Sequence, residues 1–218
     1  MSQTFKIRKG HDIKLVGSAP KTDLGSITAS TYAVTPLDFP GITPKLAVKA
    51  GTQVKAGDTL FFDKDRPEVK ICSPVSGEVA EVKRGAKRKI LAVLILADSD
   101  ITYADHGAFS FSGGTREDAE AHFGTTGVGA FITSRPYGVA ASMSEKPRAI
   151  FVNGIQSGPL AGDLAYQLEG KEKSLATALK ALKLMTEGMV YVSHDADCAP
   201  IEALQSLDAT HITFSGKH

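Results

Sequence analysis

The 218-residue sequence predicts an α+β protein of two domains, an all-β sandwich of hairpins over 1–100 followed by a Rossmann-like α/β domain over 101–218. Three observations predict it. Short alternating strands separated by glycine turns fill 48–96, the apolar period changes beyond residue 100, and apolar runs alternate with an amphipathic helix from 149 onward.

Residues 5–48 are rich in Pro, Gly, Thr and Asp and alternate only briefly, in Phe5-Lys6-Ile7 and Ile13-Lys14-Leu15-Val16. They read as edge strands and loops wrapped on the sandwich. In the sandwich, Gly51 and Gly57 supply turns with φ > 0, 63–68 forms a polar hairpin tip, and 74–77 makes a third turn. The Val and Ile between these turns suit a pleated, half-buried surface. The run from Ile90 to Leu96 is the best-buried strand by composition, and the first domain closes near residue 100. Beyond it Thr115 is placed to cap a short helix, with Asp118 three residues on to bond back to it and Gly124 to end it. Ala149-Ile-Phe-Val152, Met189-Val-Tyr-Val192 and Ile212-Thr-Phe214 read as strands. A helix is predicted over 174–187, where Leu175, Leu179, Leu182 and Met185 share a face and Lys173, Lys180 and Lys183 take the wet side. A second is predicted over 199–207. Strands alternating with helices imply parallel pairing.

With 42% hydrophobic residues the chain can bury a core, and a net charge of +1 gives no field to steer nucleic acid. The one basic cluster, Lys83-Arg84 with Lys87-Arg88-Lys89, surrounds Gly85 and reads as a solvated turn. The longest apolar run, 90–97, is far shorter than the roughly 20 residues that span a bilayer. The opening Met1-Ser2-Gln3-Thr4 is polar and no secretory leader is expected. Cys72 and Cys198 lack CxxC or ligand spacing, so reduced thiols and no metal are expected.

The hairpin pattern resembles the barrel-sandwich hybrid of biotinyl and lipoyl carriers, where a hairpin tip presents a lysine for modification. The tip here, Phe62-Asp-Lys-Asp-Arg-Pro-Glu68, puts Arg66 near the carrier position and gives Lys64 no methionine neighbour. A carrier-like barrel without cargo is therefore predicted.

The order of parts resembles a family, the A-type subunits of the Na⁺-translocating NADH:quinone oxidoreductases. The resemblance rests on Lys9-Gly-His-Asp-Ile13, 51–62, Ser73-Pro-Val-Ser-Gly77, Arg84-Gly-Ala-Lys-Arg88, Ser134-Arg-Pro-Tyr137, Pro147-Arg-Ala-Ile-Phe-Val152 and Gly158-Pro-Leu-Ala161. It implies a peripheral subunit on the cytoplasmic face of the bacterial inner membrane, partnered by membrane subunits, in a complex that passes electrons from NADH to quinone and exports Na⁺. It also implies that FAD, FMN, riboflavin and iron–sulfur centres sit in other subunits, that quinone is the substrate, and that this chain binds no redox cofactor. Family members continue beyond the point matched by Phe214-Ser-Gly-Lys-His218, so a second domain truncated on its C-terminal side is expected.

Related flavoproteins hold flavin phosphate on a glycine-rich turn at a helix N-terminus, where free N–H groups and the dipole favour an anion. The nearest counterpart, Gly124-Thr-Thr-Gly-Val-Gly129, lacks the spacing, and Ile155, Gln156, Ser157 and Gly158 replace the acidic run that would hold ribose. A vestigial nucleotide site is predicted. His194-Asp-Ala-Asp-Cys198 contains metal-ligating side chains but no distant third ligand, and reads as a polar loop. No residue is assigned a catalytic role.

Ser134-Arg-Pro-Tyr137 remains as a functional loop. Arg135 offers a planar donor that never deprotonates, beside Pro136 and the aromatic face of Tyr137. Such a set suits a carbonyl-bearing aromatic head group or a partner carboxylate, whereas a structural Arg135 would tie segments together through backbone carbonyls. Phe131, Arg135, Pro136, Tyr137 and Pro44 of the 35–46 loop are the predicted quinone or partner contacts. A hydrophobic cleft beside Arg135 and 35–46 would favour a quinone site, and a flat polar surface a purely structural docking subunit.

Overall fold

The computed structural model describes residues 3–11, 13, 15–17, 20–110 and 113–217. Asp12 of the opening motif, Lys14 of the brief alternation at 13–16 and the terminal His218 lie outside them. The chain forms two compact units, Ser26–Glu145 and a second that joins Met1–Gly25 to Lys146–His218. By packing, 101–145 group with the hairpin strands, and the first strand groups with the later sheet.

That first strand, β1 (Gln3–Lys6), pairs in parallel with the last strand of the chain. The expectation that Phe5-Lys6-Ile7 wraps the hairpin sandwich is thereby corrected. A strand of four residues carries no signal of which sheet it joins, and the partner here lies some 200 residues away in sequence.

The Ser26–Glu145 unit is built from β2 (Thr31–Val34), β3 (Pro44–Leu46), β4 (Gln53–Val54), β5 (Thr59–Asp63), β6 (Lys70–Cys72), β7 (Gly77–Arg84) and β8 (Ile90–Ala97). One antiparallel sheet has the order β2-β8-β7-β4 and another β3-β5-β6. Between them Leu60, Phe61, Val69, Val79, Val93 and Ile95 are fully buried. β8 buries Ile90, Ala92, Val93 and Ile95 but exposes Leu91 and Leu96. The basic cluster is an exposed turn after β7, closed by the Arg84 guanidinium donating to the Arg88 carbonyl at 3.0 Å.

Helix α1 (Arg116–Thr126) begins with the expected capping box, Thr115 accepting from the Asp118 N–H while the Asp118 carboxylate accepts from the Thr115 N–H. It ends at Gly127 rather than Gly124, because Gly127 is the residue in the left-handed conformation, φ 76°. A short hairpin follows, β9 (Thr133–Ser134) with β10 (Val139–Ala140).

The second unit alternates β11 (Ala149–Val152), α2 (Leu164–Leu168), α3 (Glu172–Leu184), β12 (Met189–Asp195), α4 (Glu202–Gln205) and β13 (Thr210–Ser215). Its sheet has the order β1-β13-β12-β11 and every pairing is parallel, as the alternation predicts. Leu179, Leu204 and Leu207 from the helical layer bury against Val190 and Val192. Helix α2 escapes the sequence because it is barely one turn long, held by the Asp163 carboxylate accepting from the Tyr166 N–H.

At the β5–β6 tip Lys64 is exposed and its backbone N–H donates to the Thr43 carbonyl at 2.8 Å. Its side chain is accessible, yet the tip is the edge of a packed loop rather than a free apex. Intact mass of the protein from its native host is expected to equal that of the unmodified chain. A mass increment mapping to Lys64 would contradict this.

Candidate functional site

Within the Ser26–Glu145 unit, the 35–41 segment and the β9–β10 hairpin face each other across a groove of about 280 Å³. Asp38, Phe39, Pro40, Ala130, Phe131 and Thr133 line it, with Gly138 and Ala140. The Phe39 ring meets Phe61 of the core at 6.4 Å on one side and Phe131 at 5.7 Å on the other, both edge-on. The apolar wall thus grows out of the hydrophobic core. Phe131 is nevertheless 77% exposed.

The groove is held by Arg66. From the hairpin tip its guanidinium donates to the Ala140 carbonyl at 2.5 Å and to the Gly41 carbonyl at 3.1 Å, one on each wall. Its Nε donates to Asp63 Oδ2 at 2.7 Å, and Asp63 is 1% exposed. Burial pushes the Asp63 carboxyl up, but the Thr43 and Asp65 N–H groups, the Arg66 hydrogen bond and the Arg66 charge outweigh it and leave it below the usual carboxylate range. The walls also touch directly, Ala140 N–H donating to the Pro40 carbonyl at 3.3 Å. The sequence flagged Arg66 only as unfit for a carrier. The signal that it turns inward is Asp63 three residues earlier, at the end of an alternating strand whose buried face it continues.

Of the predicted contact residues, Phe131 lines the groove. Arg135, Pro136 and Tyr137 form the turn of the β9–β10 hairpin, between the groove-lining Thr133 and Gly138, and all three are exposed. Pro44 belongs to β3, opposite Asp63, and does not line the groove. Among the described residues Arg135 makes no hydrogen bond or ion pair, so the bonds to backbone carbonyls that a structural Arg135 would make are made by Arg66 instead.

The glycine-rich stretch sits at the C-terminal end of α1, where the dipole is negative and repels phosphate. Its glycines serve packing. A Cβ on Gly127 would lie 2.7 Å from Cys72 Sγ, and one on Gly129 2.8 Å from Met143 Sδ.

In the second unit the loop after β11 closes on itself. The Asn153 carboxamide accepts from the Ile155 N–H and from Ser193 Oγ, and the Gly154 N–H donates to Ser193 Oγ. A Cβ on Gly154 would stand 2.3 Å from the Ser193 carbonyl. After β12, the Asp195 carboxylate accepts from the Asp197 N–H and from Cys198 Sγ, while Asp197 accepts from the Gly216 N–H. His211 donates from Nε2 to the Leu207 carbonyl, so its Nδ1 accepts from His194 Nε2 at 2.7 Å. Burial, then the His211 neighbour, lowers the His194 pKa. No group of three or more His, Cys, Asp or Glu able to hold a metal occurs among the described residues.

A carrier-type barrel whose tip arginine is turned inward, followed by a parallel α/β sheet with a self-closed loop, defines a barrel-sandwich protein with an α/β module. The particular family is given by comparison. Residues 5–98 match the NqrA N-terminal barrel-sandwich hybrid domain and 114–218 the NqrA second alpha/beta domain, and the chain belongs to the NqrA family. Over 216 residues, 98% of this chain, it is 32% identical to the A-type subunit of the Na(+)-translocating NADH-quinone reductase of Teredinibacter turnerae and 30% identical to that of Cellvibrio japonicus. It is 29% identical to the Vibrio alginolyticus counterpart over 214 residues, 97% of this chain. The chain spans about half the length of these curated relatives, 48% in each case.

Proposed function

We propose that the chain acts as part of the NqrA component of a Na⁺-translocating NADH:quinone reductase, and that its groove receives the quinone head group. The observation that carries this reading is the hydrophobic cleft beside Arg135 and 35–46, the feature that separates a quinone site from a docking surface. At about 280 Å³ it is just below the usual range for drug-sized ligands, about 300–1,000 Å³, which suits a single substituted ring with its tail left outside. Phe39 and Phe131 offer edges and faces to such a ring, and the Arg135 guanidinium is free to donate to a quinone carbonyl. In this reading the chain carries no redox cofactor, flavins and iron–sulfur centres belong to other subunits, and the protein sits peripherally on the cytoplasmic side of the membrane. No helix among the described residues is long and apolar enough to cross a membrane, which is compatible with that position.

A second reading, a structural docking subunit, draws on the exposure of Leu37, Phe131 and Tyr137, since exposed apolar and aromatic side chains gather at protein interfaces. Titration with a water-soluble short-chain quinone separates the two. Saturable binding that Arg135→Ala weakens by about ten- to a hundred-fold, roughly 1.5–3 kcal/mol for a charge-assisted bond, is expected for the quinone site. Thermal stability of that variant is expected to change by no more than about 0.5 kcal/mol, because Arg135 holds nothing in the fold. Absence of quinone binding, with Phe131→Ala and Tyr137→Ala weakening assembly of the complex instead, would favour docking.

A further inference from the structure

The turn between β7 and β8 gathers Lys83, Arg84, Lys87, Arg88 and Lys89, all of them exposed. Among the described residues none of these five forms an ion pair. From 79 to 97 the sequence sets a single acidic residue, Glu81, against them. β4 pairs with β7 only as far as Glu78, and β2 with β8 only as far as Val93. Towards the turn the two strands therefore pair with each other alone, Lys83 with Ala92 and Arg84 with Ile90.

The backbone of this turn runs against residue preference. Lys87 has φ 53° and Arg88 φ 60°, a left-handed pair that glycine would adopt without steric cost. The glycine of the turn stands elsewhere, at Gly85, where a Cβ would come within 3.1 Å of Leu91 Cδ1. Leu91, 42% exposed, thus lies against the turn beside the cations. Charged side chains are kept at two consecutive positions whose backbone suits glycine better, and strain of that kind gathers at functional sites.

We infer that the 83–89 turn is a docking surface for an anionic lipid bilayer, with Lys83, Lys87 and Lys89 as its main contacts and Leu91 facing the headgroup layer. Charge complementarity carries it, since clustered Lys and Arg next to an apolar side chain match a layer of phosphates over an acyl boundary. Lysine supplies three of the five cations, and lysine is depleted where proteins dock on proteins. Single-stranded nucleic acid is held by stacking on aromatic rings, of which 77–97 has none.

Vesicles free of quinone test this surface separately from the groove. The 218-residue chain is expected to sediment with phosphatidylcholine vesicles containing about 30% phosphatidylglycerol, and to leave them in about 0.5 M salt, which screens exposed charges. Each lysine near such a surface strengthens binding about fivefold, so Lys83→Gln, Lys87→Gln and Lys89→Gln together are expected to weaken it about a hundredfold. Lys171→Gln, Lys173→Gln and Lys180→Gln together remove the same charge from exposed positions of the other unit and are expected to weaken it by less than about fivefold. No sedimentation of the wild-type chain with the anionic vesicles would overturn the inference and leave an acidic protein surface as the partner of the turn. Equal weakening by the two triple variants would overturn it as well, because total charge would then be responsible. Should either triple variant fail to melt cooperatively, quenching by spin-labelled lipid decides the matter. A fluorophore attached through Lys87→Cys on a Cys198→Ser background is expected to be quenched, and one attached through Lys173→Cys is not; the absence of quenching at position 87 refutes the contact.

Discussion

Arg66→Ala is expected to cost about 3 kcal/mol of stability and to lower the melting temperature of the Ser26–Glu145 unit by roughly 10 °C. The cause is the group left behind. Asp63 is buried, and without the guanidinium its carboxylate keeps only the Thr43 and Asp65 N–H groups, at 2.9 and 3.4 Å. The Ala140 and Gly41 carbonyls lose their donors at the same time, so the groove walls loosen together with the fold. Arg66→Lys should fall between, since a single ammonium cannot reproduce three directed bonds. The pair also fixes a pH dependence. The folded Asp63 pKa lies below its unfolded value, so the unfolded chain binds the proton more readily. Its stabilisation is therefore full at neutral pH, above the unfolded carboxyl pKa, and is lost as pH falls through the lower folded value. Denaturant melts of wild type and Asp63→Asn between pH 7 and 3 would check this: wild type should lose stability with acid more steeply than the variant.

Gly77→Ala is expected to be comparably severe, about 4 kcal/mol, and to leave little folded protein at 37 °C. Gly77 opens β7 opposite Ala97 with φ near 150°, and a Cβ there would sit 1.9 Å from the Leu96 carbonyl oxygen. The obstacle is backbone of the paired strand, which cannot swing aside as a side chain could. Strain and overpacking each contribute about 1–3 kcal/mol at such a site. Soluble yield and circular dichroism melting provide the measurement, and a variant that melts within about 1 kcal/mol of wild type would show that the two strands can separate at that point without loss.

The hairpin sandwich was legible because period-2 alternation and glycine turns are local signals, and in the run from Ile90 to Leu96 both Val93 and Ile95 are fully buried. The parallel order of β11, β12 and β13 followed from the strand and helix alternation for the same reason. What stayed hidden was long-range. Nothing near Phe5 reports that β13 is its neighbour, and nothing near Arg66 reports that Gly41 and Ala140 will arrive within hydrogen-bond reach. Phe131 and the Ser134-Arg-Pro-Tyr137 turn were visible as an unusual set of residue types. The residues that shape the groove around them, Asp38, Phe39 and Pro40, are ordinary in composition and gain their role from being folded opposite the hairpin.

The most direct test of the groove as a quinone site is photolabelling of the protein with a photoreactive short-chain quinone, followed by peptide mass spectrometry. Attachment is expected within 37–41 or 130–140, abolished by excess unlabelled quinone and reduced in Arg135→Ala. Competable attachment confined to the 146–217 segment, with 37–41 and 130–140 unlabelled, would contradict it.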